Sequence, residues 1–102
     1  MDAASLKNLI GTDRDSALLR VTIANSLLQD DIPVEAEEHL AAAVEMEPAY
    51  TAAWKQLGKV RLRLDNIEGA REAWQSGIEA AKENGDKQAE KEMGVFLRRL
   101  DK

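Results

Sequence analysis

The sequence predicts an all-α protein in which antiparallel helix pairs stack into a short α-solenoid. Two observations support this. Aromatic residues make up only 4% of the 102 residues and no alternating strand pattern occurs, so a core built largely from Ala, Leu, Ile and Val suits helices. The chain also repeats, because the segment 17–50 aligns without gaps with the segment 51–84 that follows it. A fixed period of this length is typical of stacked helical units.

The two copies share residue size more than residue identity. The identical pairs are Leu28 and Leu62, Asp31 and Asp65, Ala36 and Ala70, Glu38 and Glu72, and Glu45 and Glu79. The small residues that recur are Ala24 and Gly58, Ala36 and Ala70, and Ala43 and Gly77. We expect these small residues to let paired helices approach closely, with the rings of Trp54 and Trp74 filling the remaining volume.

These spacings resemble the tetratricopeptide repeat (TPR), whose pattern is W-x2-L-G-x2-Y, then A-x3-F, then P. Trp54, Leu57 and Gly58 match its opening, and Ala70 and Trp74 match its middle, with Trp in place of Phe. The first copy matches at Ala24, Ala36, Ala43 and Pro48. The departures are Arg20 for the Trp, Leu27 and Arg61 for the Tyr, and Lys82 for the second Pro. The resemblance covers residues 17–84 and implies a right-handed solenoid.

Six helices are predicted in a single domain, 1–102. Periodicity and capping residues place them at 2–10, 15–30, 33–46, 49–64, 67–83 and 86–101. In repeat terms the domain consists of an N-terminal capping half-repeat at 1–10, repeats at 17–50 and 51–84, and a C-terminal capping helix at 86–101. Each repeat then contains a first-type helix followed by a second-type helix.

The helix at 2–10 is interpreted as a truncated second-type helix. Leu6, Leu9 and Ile10 each have an apolar counterpart one repeat period later, in the second-type helix of the first repeat. Such a helix would cap the stack.

The middle four helices have local start and stop signals. These are Asp13, Asp15 or Ser16 as the cap of the second helix, Pro33 in the first turn of the third, Glu47-Pro48 between the third and fourth, Asp65 or Asn66 before the fifth, and Asn84-Gly85 after it.

The last helix is interpreted as a third first-type helix. Met93-Gly94 follows Leu57-Gly58 at slightly more than one repeat period, which implies a longer turn than a strict repeat would have. Its apolar face is predicted to contain Ala89, Met93, Phe96, Leu97 and Leu100.

Charge and composition exclude several function classes. The net charge is −5, with ten Asp/Glu and three Lys/Arg in residues 1–50 (−7) and nine and eleven in residues 51–102 (+2). An acidic protein is not expected to bind nucleic acid, which requires phosphate neutralisation. Without a secretory signal or a long apolar segment, we expect a soluble, cytoplasmic protein that does not contact membranes.

No residue pattern indicates catalysis, a cofactor or a metal. There is no cysteine, no phosphate-binding glycine loop and no nucleophile motif around any serine. His39 is the only histidine, and we interpret it as part of a solvated helix surface. Metal ligation by Glu35 and His39, which are i,i+4 neighbours, is the remote alternative. The sequence therefore predicts that the protein is not an enzyme.

A basic stripe is the most informative constellation. Lys55, Lys59 and Arg63 are spaced i, i+4, i+8 on one helix. The TPR resemblance implies that the first helix of each repeat lines a concave groove in which peptides lie. The groove residues predicted in this way are Val21, Asn25, Leu28, Lys55, Lys59, Leu62, Arg63, Lys91 and Arg98. The alternative is that these cations simply solvate a helix.

We therefore predict an interaction module that binds a peptide or segment of a partner protein in this groove, and the basic stripe favours an acidic partner. Chaperone-binding relatives use a two-carboxylate clamp, but only Asn25 stands at one of its positions, while Val21 and Gln56 depart. The resemblance therefore does not imply recognition of a chaperone tail. The alternative function is a structural subunit that self-associates as a homo-oligomer, the acidic half of one copy meeting the basic half of another.

Overall fold

The computed structural model describes residues 2–101, which form six helices and no strand. The helices are α1 Ala3–Lys7, α2 Ala17–Gln29, α3 Pro33–Met46, α4 Thr51–Arg63, α5 Ile67–Asn84 and α6 Lys87–Leu100. The predicted all-α class is confirmed. The two ends of the predicted domain, Met1 and Lys102, lie outside the described residues. No helix within 2–101 is long and apolar enough to cross a membrane.

Two tight turns of the same geometry join the helices of each repeat. Residues 30–32 connect α2 to α3, and residues 64–66 connect α4 to α5. In both turns an aspartate adopts the left-handed conformation, Asp31 with φ 61° and Asp65 with φ 63°. Asp is among the few non-glycine residues that tolerate this region. Backbone geometry therefore explains why an aspartate recurs at this position of both repeats.

The predicted capping residues act as expected. The Ser16 hydroxyl accepts a hydrogen bond from the Leu19 N–H at 3.0 Å, and the Asn66 side chain accepts one from the Gly69 N–H at 2.9 Å. Gly85 ends α5 in the left-handed conformation, with φ 70°. These caps satisfy backbone groups that the helix ends leave unpaired.

The prediction for the first helix was wrong in length. Helix α1 ends at Lys7 rather than at residue 10. The N–H groups of Leu9 and Ile10 bond to carbonyls three residues back, at Leu6 and Lys7, which makes a tighter turn. Leu9 and Ile10 still pack against the core from this turn. Burial of their apolar side chains does not require a helical backbone.

Glycines at two predicted positions allow close helix contact. A Cβ added at Gly58 would lie 2.1 to 2.5 Å from atoms of the Trp74 ring, and one at Gly77 would lie 2.5 Å from Met93 Sδ. Gly58 is on α4, Gly77 on α5 and Met93 on α6. Small residues therefore set the spacing in both the α4–α5 and the α5–α6 contacts, as the sequence predicted.

The two tryptophans differ in burial. Trp74 is 2% exposed, and its indole N–H donates to the Lys55 carbonyl at 3.1 Å. Trp54 is only half-buried, which differs from the predicted core position. The indole N–H of Trp54 donates to the Pro48 carbonyl at 2.7 Å. This bond ties the ring, which packs against the larger core cluster, to the turn before α4.

The prediction that His39 lies on a solvated surface was wrong. His39 is 9% exposed and lies between two charged side chains. Its Nδ1 is 3.4 Å from Arg20 Nη1, and its Nε2 is 3.5 Å from Glu35 Oε2. His39 faces α2 and is covered there by Arg20. Arg20 stands at the position of the tryptophan in the repeat pattern.

Arg20 is itself held by Asp15. Its Nε and Nη2 donate to the two oxygens of the Asp15 carboxylate, both at 3.0 Å. This bidentate pairing lowers the pKa of Asp15 to about 2, with a smaller contribution from the Gly11 N–H, which also donates to the carboxylate. A polar network therefore replaces an aromatic ring in the first repeat.

Candidate peptide-binding groove

The first-type helices α2, α4 and α6 are linked side by side by polar contacts between their side chains. Gln56 Nε2 of α4 donates to Asn25 Oδ1 of α2 at 3.0 Å. Lys55 Nζ of α4 lies 3.1 Å from Glu92 Oε1 of α6. We call the side of α2 and α4 that carries seven of the nine predicted groove residues, together with the adjoining side of α6 that lines the pocket next to α4, the groove face.

The α2 part of the groove face is mainly structural. Val21 and Leu28 are partly buried and pack against the larger core cluster, which spans α1 to α4 and includes Ala73 of α5. Asn25 is exposed, but its side-chain oxygen is already occupied by the amide of Gln56. Most side chains of this part of the groove face are therefore engaged in contacts within the chain.

Two of the three cations of the basic stripe form ion pairs within the chain. Lys55 pairs with Glu92, and Arg63 pairs with Asp31 of the α2–α3 turn. Lys59 forms no ion pair with a carboxylate of residues 2–101, and its Nζ lies 5.4 Å from the centroid of the Phe96 ring. Lys59 is therefore the member of the stripe whose charge is least neutralised by the chain.

Lys59 borders a pocket of about 360 Å³ between α4 and α6. The pocket is lined by Lys59, Leu62, Trp74, Phe96, Arg99 and Leu100. Leu62 is 40% exposed although it is large and apolar. The floor of the pocket is apolar and the rim carries two cations, so an apolar side chain next to a carboxylate would find complementary groups.

The lining of this pocket was only partly foreseen. Phe96 and Leu100 are predicted on the apolar face of the last helix, without any distinction between core and surface. They are partly buried and pack against the α5–α6 core cluster, and they also face the pocket. Helical periodicity identifies an apolar face, but it does not distinguish the centre of that face from its accessible edge.

Lys91 and Arg98 lie apart from the α4–α6 pocket. Both are exposed and line a different depression, between α5 and α6, which we call the α5–α6 furrow. Its volume is about 540 Å³ and its lining is Ile78, Lys82, Glu90, Lys91, Gly94, Val95 and Arg98. The structure thus brings Lys59 and Leu62 together and places Lys91 and Arg98 on another side of α6.

Metal-ligating side chains do not cluster in the part of the chain that the structure describes. Within residues 2–101 no three His, Asp or Glu side chains converge on one point. The surroundings of the α4–α6 pocket are apolar and cationic, which suits binding of an anionic, partly apolar segment.

Comparison with known proteins identifies similar chains, although no family model matches. A protein named TPR repeat-containing protein from Pseudomonas aeruginosa is 45% identical over 97 residues, which are 95% of this chain and 92% of that protein. The solution structure of a Bordetella parapertussis protein is 39% identical, with a TM-score of 0.79 over 97% of this chain and 86% of that one. A heat-shock protein cognate co-chaperone from Aspergillus fumigatus is 30% identical over 67 residues, 66% of this chain and 20% of the co-chaperone.

Proposed function

The chain belongs to the tetratricopeptide repeat family, and on this premise we propose that it binds a segment of a partner protein on the groove face without catalysing a reaction. A role as a protein-interaction module is supported by the fold and by the similarity to a co-chaperone. The segment is an extended or helical peptide with an apolar side chain next to Asp, Glu or a C-terminal carboxylate.

The α4–α6 pocket is the observation that carries this proposal. Leu62, Phe96 and Leu100 present apolar surface to the pocket, and burying an apolar side chain there would stabilise a complex.

Charge supplies the specificity in this proposal. Lys59 and Arg99 flank the pocket, and neither forms an ion pair with a carboxylate of residues 2–101. Two cations beside an apolar floor attract an acidic segment and favour one orientation of it. The interaction of these cations with a partner weakens with added salt because exposed charges are screened.

Selection of peptides from a random displayed library on the immobilised full chain tests the proposal. We expect enrichment of sequences that combine an apolar residue with an adjacent carboxylate. The double variant Lys59→Glu, Arg99→Glu should lose this enrichment, because it reverses both rim charges. Selection should also weaken as salt is raised from about 50 mM to about 500 mM.

A matched control separates the pocket from net charge. The variant Arg14→Glu, Lys87→Glu changes the net charge by the same amount at two exposed positions that do not line the pocket. This control should retain the wild-type selection. Recovery of the same sequences by the wild type and by the Lys59, Arg99 variant would refute binding at the pocket.

A further inference from the structure

The α5–α6 furrow corresponds to a place that is already occupied by a helix one repeat earlier. Gly94 is the counterpart in α6 of Gly58 in α4, and Ile78 is the counterpart in α5 of Val44 in α3. At Gly58 the ring of Trp74 lies directly against the backbone of α4. The corresponding surface at Gly94 therefore has the form of a seat for a second-type helix with a large side chain.

Within residues 2–101, the guanidinium of Arg98 is the only group that approaches this seat. A Cβ added at Gly94 would have only Arg98 Nη1 within 4 Å, at 3.7 Å, which is an ordinary contact. A glycine in the middle of a helix destabilises it relative to alanine. Packing inside the chain does not require this glycine, whereas close approach of another helix would require it.

Charge around the furrow indicates the chemistry of the occupant. Lys82, Lys91 and Arg98 line it, against one carboxylate, Glu90. None of the three cations forms an ion pair with a carboxylate of residues 2–101. An occupant with acidic residues flanking its apolar side chain would neutralise these cations, and complementary charges of this kind fix the orientation of a partner.

We infer that the α5–α6 furrow is a second binding site, which takes an amphipathic, acidic helix of a partner protein and seats its large apolar side chain on Gly94. The site is separate from the α4–α6 pocket and does not depend on it. A second copy of the chain is a poorer occupant. Its α1 is five residues long, and Leu6 is already 7% exposed against α2.

The chain supplies its own probe for this site. A synthetic peptide of residues 66–85 contains Trp74, four carboxylates and two cations, and reproduces the helix that fills the equivalent seat at Gly58. Titration of the labelled peptide with the full chain, followed by fluorescence anisotropy, should show saturable binding. A peptide with alanine in place of its tryptophan should bind at least roughly tenfold more weakly, since it lacks the side chain that fills the seat.

Two protein variants locate the binding. Gly94→Ala should bind the wild-type peptide roughly tenfold more weakly than the wild-type protein does, because the added methyl group occupies the seat. Lys82→Glu should also weaken it, whereas Arg14→Glu, an equal charge change at an exposed loop position, should not. Far-UV circular dichroism should show Gly94→Ala folded and with a raised melting temperature, so that loss of binding is not loss of structure.

The possible outcomes are distinct. Absence of peptide binding would overturn the inference. Equal binding of the peptide by Gly94→Ala and by wild type would also overturn it, and would indicate that the peptide displaces α5 at Gly58. Dimerisation of the chain alone that Gly94→Ala abolishes would also overturn it, because a second copy would then be the occupant. Variants of Lys59 and Arg99 test the groove proposal separately and do not bear on this result.

Discussion

At the scale of single residues, Arg20 shows how a polar network can replace the tryptophan of the repeat pattern. Trp54 and Arg20 occupy the same position in successive repeats, and each bonds to the turn that precedes its helix. Trp54 donates to the Pro48 carbonyl, and Arg20 donates to the Asp15 carboxylate. The arginine also covers His39, which needs a polar neighbour because it is buried. The side chain at this repeat position therefore links the start of each first-type helix to the turn before it in both repeats.

The Asp15–Arg20 pair predicts a specific loss of stability in acid. The folded-state pKa of Asp15 is about 2, against an ordinary value of 3.8. Its stabilisation is therefore fully present above about pH 4 and is lost as the pH falls towards about 2, because the unfolded chain binds the proton first. Urea unfolding at a series of pH values should show a shallower acid dependence for Asp15→Asn than for wild type, and lower stability of the variant near neutral pH.

A neighbouring aspartate provides the control for this experiment. Asp13 is exposed and forms no ion pair within residues 2–101. Asp13→Asn should therefore retain the wild-type acid dependence. Equal slopes for the Asp15 variant and wild type would show that the pair does not contribute to stability.

At the scale of helices, two glycines at the same repeat position have opposite surroundings. Gly58 lies against the Trp74 ring, whereas the side of Gly94 is open apart from Arg98. The glycine in α4 is needed for packing, and the one in α6 is not needed by the chain itself.

This contrast predicts opposite effects of the same substitution. Gly58→Ala should lower the free energy of unfolding by about 1–3 kcal/mol, because the Trp74 ring must move to admit the methyl group. Gly94→Ala should raise it by about 0.5–1 kcal/mol through greater helix propensity. Chemical denaturation of both variants measures these changes, and destabilisation by Gly94→Ala would show that this side of α6 is packed against another group.

At the scale of the whole molecule, the charge asymmetry of the chain is partly neutralised within it. Of the four cations of α4, Lys55, Arg61 and Arg63 pair with carboxylates of other elements, namely Glu92, Glu37 and Asp31. The last two partners belong to the acidic half of the sequence. Two ion pairs of α4 therefore join the basic half to the acidic half inside one copy, where they compete with pairing between copies.

We accordingly predict that the chain is monomeric in solution. Sedimentation velocity at several concentrations and low salt should give a constant molecular mass. A mass that rises with concentration, and more so at low salt, would instead favour the alternative in which the protein is a self-associating structural subunit.

The sequence by itself determined the architecture. Small residues that recur at the same positions of both repeats predict close packing of paired helices, and Ala36, Gly58 and Ala70 are all buried in the structure. Caps such as Ser16 and Asn66 act over three residues, which is why the middle helices were placed within two residues of their observed bounds.

Only the tertiary structure decided which charged residues remain available. Spacing along α4 shows that Lys55, Lys59 and Arg63 share a face, but their partners, Glu92, Phe96 and Asp31, come from segments far away in the sequence. The burial of His39 and the open side of Gly94 also depend on what neighbouring helices cover. Local patterns act within one helix, whereas pairing and exposure are set by contacts between helices, and the binding proposals made here rest on those contacts.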